Sequence, residues 1–309
     1  MLNAAARQYV DIHPEVAEAI AGNRPVVALE STIITHGMPY PANSDMAASV
    51  ERIIIDEGAV PATIAVMGGR IKVGLSDGER DALATTGGAM KLSRADLAFA
   101  VAERRTGGTT VAATMMAAHL AGVSVFATGG IGGVHKGAEL SFDVSADLDE
   151  LARTPVIVVS AGAKAILDIP KTLEVLETRG VPVVGYGADV MPAFWSRQSP
   201  FPAPLRLDSA EAIARFQQTR QALGVVGGML VANPVPAGAE IPADRMQGYI
   251  DAAQRAANEN GITGKAVTPF LLAKILELTD GASLKTNIAL VENNARLAAR
   301  IAKALVSPR

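Results

Sequence analysis

Cysteine is absent from the 309-residue chain, which excludes disulfides, thiolate metal sites and thiol nucleophiles together. A run of about 20 apolar residues, the length needed to span a membrane, is also missing. Arg7 is not followed by the apolar stretch an export signal requires, so the expected location is the cytoplasm, away from any membrane. Nor is there a surplus of positive charge. Lys and Arg number 28 against 31 Asp and Glu, a formal charge of −3, and this balance argues against a nucleic-acid partner. Apolar residues, by contrast, make up 49% of the chain and charged ones 19%, a composition that can bury a large core and lies far from the disordered class. At roughly 150 residues per domain the length would allow two. No repeat, low-complexity tract or visible boundary divides it, so a single α/β domain over residues 1–309 is expected.

Short β-branched runs alternate with helical patterns, which predicts an α/β architecture around a largely parallel sheet. The candidate buried strands are Val26–Glu30, Thr63–Met67, Val123–Thr128, Val156–Ser160, Val181–Tyr186 and Gly228–Ala232. Asn43 and Ser44 are placed to cap a helix running to Gly58, with Met46, Val50, Ile53 and Ile54 on one face. Asp168 before Pro170, with Gly180 beyond Arg179, brackets a further helix. Pro242 opens one through Ala257, and Ser283 opens the last through Leu305. Met191–Arg206 carries Pro192, Pro200, Pro202, Pro204 and the only tryptophan, Trp195. It reads as a loop, either a substrate gate or a connector whose aromatic groups plug the edge of the core.

Ligands of open α/β sheets bind beyond the carboxyl ends of the strands, and three polar features fall there. Glu30 ends an apolar strand, where desolvation raises a carboxyl pKa and suits it to proton transfer; pairing with a lysine or capping a loop is the alternative. Lys164 follows Pro155-Val-Ile-Val-Val-Ser-Ala-Gly-Ala, so its amine either loses hydration and attacks a carbonyl-like carbon or snorkels to water. Thr106-Gly-Gly-Thr-Thr110 is read as opening an apolar helix, with the Thr109 and Thr110 hydroxyls and the free N–H groups forming an anion site; it lacks the Lys-Ser/Thr pair of a Walker motif. Thr128-Gly-Gly-Ile-Gly-Gly-Val-His135 is only a weak dinucleotide fingerprint, because His135 stands where a third glycine belongs. The following Glu139–Asp147 stretch reads as a loop. His135, Asp143 and Asp147 could hold a hard divalent cation or a polyhydroxyl substrate there, or Asp147 could cap the helix ending near Arg153. His119 is taken as a core residue, His13 lies in a disordered-looking start, and Met90–Asp96 reads alone as a solvated face.

Taken in order, Ala28-Leu-Glu30-Ser-Thr-Ile-Ile-Thr-His-Gly-Met-Pro39, Lys91-Leu-Ser-Arg, Gly107-Gly-Thr-Thr-Val-Ala-Ala-Thr, Thr128-Gly-Gly-Ile-Gly-Gly-Val-His135, Phe142-Asp-Val-Ser-Ala-Asp147, Ala161-Gly-Ala-Lys164 and Lys285-Thr-Asn287 resemble the pseudouridine-5′-phosphate glycosidase family, which includes indigoidine synthase A. The resemblance runs from about Ile12 to Leu305. It implies a three-layer α/β/α sandwich around a mostly parallel sheet, a homotrimer, and reversible cleavage of the C–C glycosidic bond of pseudouridine 5′-phosphate to uracil and ribose 5-phosphate. It further implies that Lys164 forms an imine with C1′ of the ring-opened sugar, that Glu30 donates a proton, and that Asp143 holds Mn²⁺, or another hard ion such as Mg²⁺, through water-rich coordination. By the same resemblance Lys91, Thr110, Val111, Ser145, Ala146 and Asp147 contact phosphate and sugar, with His135 close by, and Thr128 and Asn287 lie near the base. Another Schiff-base lyase acting on sugar phosphates and a non-catalytic ligand-binding regulator are the competing readings. Release of uracil separates them.

Overall fold

A computed structural model describes residues 4–262 and 264–307. In chain order the strands are β1 (Val10–Ile12), β2 (Val26–Leu29), β3 (Val60–Met67), β4 (Arg70–Val73), β5 (Met90–Leu92), β6 (Gly107–Thr109), β7 (Val125–Ala127), β8 (Val134–His135), β9 (Ile157–Ser160), β10 (Leu167–Asp168), β11 (Val183–Tyr186), β12 (Leu205–Leu207) and β13 (Met229–Ala232). The main sheet runs β1-β4-β3-β2-β7-β9-β13-β11-β12, with β6 also on β3 and β5 on β6. From β3 through β12 every neighbour is parallel. These strands are short and β-branched, and β2, β9 and β13 are buried along their whole length, as a sheet covered on both faces requires.

One helical layer is led by Ala282–Val306, which crosses β2, β7 and β9 and packs on Ala42–Asp56 and Ala210–Ala222. The other layer includes Val111–Ala121, seated on β2, β3 and β4 and touching Arg94–Ala102 and Ala146–Arg153. The expected three-layer arrangement is therefore found. Each of the six expected strands is present. That at Thr63–Met67 starts earlier, at Val60, because Val60–Thr63 pairs in parallel with β2 before Ile64–Met67 pairs antiparallel with β4.

Several local expectations are corrected. The helix through Met46 begins at Ala42 with Pro41 at its cap. Asn43 is buried inside it, donating its side-chain amide to the carbonyls of Ile34 and Ala84, and Ser44 is buried beside it. From Ala4, where the described residues begin, a helix over Ala4–Arg7 precedes β1, an edge strand paired with β4, and His13 follows that strand. Met90–Asp96 is no solvated face, since Met90–Leu92 is a strand with Leu92 fully buried and Ser93 with Asp96 forms a capping box. His119 is exposed at the last turn of its helix rather than in the core. Glu139–Asp147, expected as a loop, takes in all but the first residue of the short helix Ala138–Ser141 and the start of another at Ala146. In the Pro-rich loop, Phe194 and Trp195 meet edge to face at 4.9 Å, both buried, and the Trp195 indole donates to the Ser283 carbonyl. The aromatic pair plugs the core edge.

Candidate active site

Sequence connections from β2 lead one way, to β3, whereas β7, β9 and β13 build the sheet the other way. The boundary between β2 and β7 is thus a point where strand order reverses, and a crevice opens there beyond the carboxyl ends. Glu30 follows β2 and Thr128 follows β7. The Thr128 hydroxyl donates to one Glu30 carboxylate oxygen and the Thr32 hydroxyl to the other. Apolar side chains of Leu29, Ile33, Ala127 and Val291 wall the space beside this half-buried carboxylate.

Lys164 comes from the loop after β9. Its backbone N–H donates to Ile131 and its carbonyl accepts from Leu167, at 3.1 and 2.9 Å, so the loops after β7 and β9 are tied together beneath the amine. The side chain is half-buried. His135 on β8, also half-buried, is held below its ordinary pKa chiefly by burial; the ammonium groups of Lys164 and Lys91 push it the same way, and Asp143 opposes them. Lys91 reaches this cluster from β5, where it stands opposite Gly108 on β6. It also acts on His36, whose pKa is lowered by desolvation first and by Lys91 second. Lys91 thus acts on both histidines and Lys164 on His135, and positive charge gathered there suits a phosphate.

The Thr106–Thr110 segment differs from the expectation. Gly107–Thr109 is a strand, and the Thr109 hydroxyl is spent on the Ile64 carbonyl while accepting from Thr114. The helix starts with Thr110 as its cap, and the Thr110 hydroxyl oxygen is buried without a hydrogen-bond partner. Val111 buries its side chain in the core, so only its backbone is available to a ligand. Asp147 is buried, and its two oxygens accept the N–H groups of Ala112 and Gly132 at 2.9 and 2.8 Å. The helix start is thus already supplied with an anion. Gly132 is required by this approach: a Cβ there would stand 2.8 Å from Asp147 Oδ2. Ser145 caps its helix, accepting from Asp147 N–H at 3.2 Å, and Ala146 is half-buried next to it. Asn287, in the second turn of the long last helix, has its side-chain oxygen buried with no partner. Two orphaned buried oxygens, on Thr110 and Asn287, are acceptors that a bound molecule can satisfy.

Asp143 is half-buried, and its carbonyl accepts the His135 N–H at 3.0 Å. Among the described residues no group of three or more His, Asp or Glu could hold a metal ion. A lone carboxylate suits only a hard, largely hydrated cation. A separate cleft, about 380 Å³, lies between Ile241, Arg245, Tyr249 and Lys285, and none of the site residues described above lines it.

Sequence reasoning missed Thr32, Asn294 and Asn233. Thr32 stood two residues from Glu30 within the same motif; the two asparagines gave no local signal. Asn294 donates to the Thr128 carbonyl at 2.8 Å and accepts from Asn233 at 3.0 Å.

The fold and this cluster define an α/β protein with a cationic ligand site at the carboxyl edge of its sheet. The chain belongs to the indigoidine synthase A like protein family, whose model matches residues 15–304. It is 77% identical to a pseudouridine-5′-phosphate glycosidase of Mesorhizobium japonicum, over 97% of this chain and 98% of that one. A protein of the same name from Dinoroseobacter shibae is 62% identical, covering 97% and 98%. Among solved structures, the prealnumycin C-glycosynthase AlnA in complex with ribulose 5-phosphate superposes with a TM-score of 0.90 at 37% identity, covering 97% of each chain. An indigoidine synthase A-like protein of Thermotoga maritima gives 0.87 at 34%, covering 96% and 97%.

Proposed function

We propose that the chain is a pseudouridine-5′-phosphate glycosidase, cleaving the C–C bond between C1′ and the uracil ring to give uracil and ribose 5-phosphate. The observation that carries this reading is the 77% identity to a protein of that name over almost the whole chain; the placement of an acid and an amine on neighbouring strand ends agrees with it.

The bond offers no oxygen or nitrogen leaving group, so protonating a glycosidic oxygen, the usual route, is closed. Lys164 supplies the alternative. Its unprotonated amine adds to C1′ as the C1′–O4′ bond breaks, its proton passing to O4′ and opening the ring; the nitrogen lone pair then forms C1′=N as the C1′–C5 bond breaks. The proton goes from Glu30 to the uracil carbon in that step, and water then hydrolyses the imine, freeing ribose 5-phosphate and the amine. Lys91 and the Thr110 hydroxyl bind the phosphate end, and this binding energy holds C1′ against the amine. Thr128 and Asn287 face the base. Val111, His135, Ser145 and Ala146 line the sugar's approach, and Asp147 serves by holding the two loops together.

Asp143, with water, is the group that would hold a divalent cation such as Mn²⁺ or Mg²⁺. Bound there, the ion would supply positive charge and ordered water beside the sugar hydroxyls. A homotrimer in the cytoplasm completes the proposal, tested by sedimentation and fractionation; no helix among the described residues is long and apolar enough to cross a membrane. The deciding experiment is incubation with pseudouridine 5′-phosphate and Mn²⁺, with chromatography for uracil. Uracil and ribose 5-phosphate in equal amounts are expected. Binding without turnover would overturn the reading in favour of a regulator.

A further inference from the structure

Proton transfer to carbon depends on where the acid points, and the surroundings of Glu30 are built to fix that. Both carboxylate oxygens receive a hydroxyl hydrogen bond, from Thr32 and from Thr128. Thr32 is the first residue of the five-residue helix Thr32–His36, yet its hydroxyl is not used as a cap. Its backbone cannot drift. Ser31, fully buried, donates its hydroxyl to the Ile64 carbonyl at 2.6 Å and accepts the Thr109 N–H at 3.0 Å. Gly108 packs beneath, where a Cβ would come within 2.8 Å of the Ser31 carbonyl oxygen.

The second arm is longer. Thr128 donates its N–H to the Val159 carbonyl at 3.0 Å and accepts at its own carbonyl from Asn294 Nδ2 at 2.8 Å. Asn294 is fully buried on the helix crossing the sheet, and its Oδ1 accepts from Asn233, which is buried beyond β13 and donates its backbone N–H to Ser160 at 2.8 Å. The Thr128 carbonyl can only accept, so the Asn294 amide must present its NH₂ there, which leaves Oδ1 for Asn233. The chain Asn233–Asn294–Thr128–Glu30 thus joins the ends of β13, β9, β7 and β2.

We propose that Thr32 and Asn294 are positioning residues for the Glu30 proton, Thr32 by holding one carboxylate oxygen directly and Asn294 by fixing the Thr128 that holds the other. This rests on the glycosidase reading above and adds to it the device that aims the acid. The loss on substitution therefore falls on the proton step and spares the imine that Lys164 forms directly with ribose 5-phosphate, whose formation does not use the Glu30 proton.

The test compares two rates in each variant, uracil release from pseudouridine 5′-phosphate and borohydride-trapped adduct at Lys164 formed from ribose 5-phosphate alone, as a ratio that a smaller folded fraction leaves unchanged. Thr32→Val keeps the shape and removes the hydroxyl. It is expected to slow release about 10- to 100-fold, the cost of misplacing a reacting group by about an ångström, with KM and trapping held. Thr32→Ser should restore release. Asn294→Ala should shift the ratio in the same sense even where it lowers stability. Run in the synthesis direction, uracil deuterated at C5 should show a larger isotope effect on rate in Thr32→Val than in the parent. If Glu30→Gln stops release while Thr32→Val and Asn294→Ala keep the parental ratio, the positioning role is overturned and the acid stands. If Glu30→Gln itself releases uracil at the parental rate, the acid assignment falls, and the positioning role with it.

Discussion

Asp147 accepts the backbone N–H of Gly132 at 2.8 Å, and through its other oxygen it joins the loop after β7 to the first turn of Val111–Ala121. A buried carboxylate at a helix start satisfies orphan donors and the positive end of the dipole at once. Asp147→Asn should therefore be costly, because an amide NH₂ would replace one acceptor against an N–H donor. A loss on the order of 1–3 kcal/mol is expected, read from urea unfolding, with KM raised and kcat lowered less. A variant as stable as the parent would show that another group satisfies those N–H donors.

Gly132→Ala probes the same junction from the other side. The added Cβ would meet Asp147 Oδ2 at 2.8 Å and the Ser145 hydroxyl more closely still. The loop must then shift, and both uracil release and Lys164 trapping should fall together. Unchanged kinetics in this variant would mean that the loop's position does not govern the site.

Removal of divalent ions should silence the enzyme, and Mn²⁺ should restore it. With no group of three or more His, Asp or Glu placed to hold a metal ion among the described residues, Zn²⁺, which favours nitrogen and sulfur ligands, should restore it poorly. Asp143→Ala should fail to respond to Mn²⁺ added over any practical range. Full activity after exhaustive chelation would remove the metal from the proposal.

The central strands were legible because β2 and β13 are apolar throughout and β9 is apolar up to Ser160, the pattern of a sheet covered on both faces. Glu30 and Lys164 were legible for the same reason, each being the first charged group after such a run. The edge was not. β1, β4 and β5 are three or four residues long and each is interrupted by charged residues, too short to carry a period. Thr109 reads locally as a helix start, but β6 pairing on β3 brings it to the Ile64 carbonyl, a partner 45 residues away. Asn43 looks like a cap because its competing partners, the carbonyls of Ile34 and Ala84, are made by tertiary structure. His119 was misplaced since its helix is apolar nearly all round, leaving no polar face to say which side meets water.

Edge strand β1 gives a pH prediction. Asp11 is hydrogen-bonded by Arg70 and paired with Lys72 at 3.1 Å. These contacts, Arg70 foremost, hold its carboxyl below the ordinary 3.8. A depressed folded-state value means that the unfolded chain binds the proton more readily, so the contribution is complete above the ordinary value and is lost as pH falls below it. The stability difference between the parent and Asp11→Asn should be constant at neutral pH and shrink as pH drops below 3.8. A difference independent of pH down to acid unfolding would show that the pairing adds nothing.

Lys164 can be separated from its neighbours because its proposed task needs nucleophilicity and not merely charge. Lys91 acts on the same histidine, and Lys136 is exposed one residue beyond it, so a phosphate could feel all three cations. Only an unprotonated amine adds to C1′. Lys164→Arg keeps the positive charge but cannot form the imine, as guanidinium stays protonated; Lys164→Ala removes both. Both variants should lose turnover completely. Lys164→Arg should bind ribose 5-phosphate close to the parental affinity, because Lys91 and Thr110 are untouched, while Lys164→Ala binds it somewhat less well. Borohydride added to the parent during turnover should leave a reduced pentose phosphate on Lys164, located by peptide mass mapping, and none in either variant. An adduct on Lys91 or Lys136 in the parent, or measurable uracil release by Lys164→Arg, would transfer the nucleophile's role away from the loop after β9.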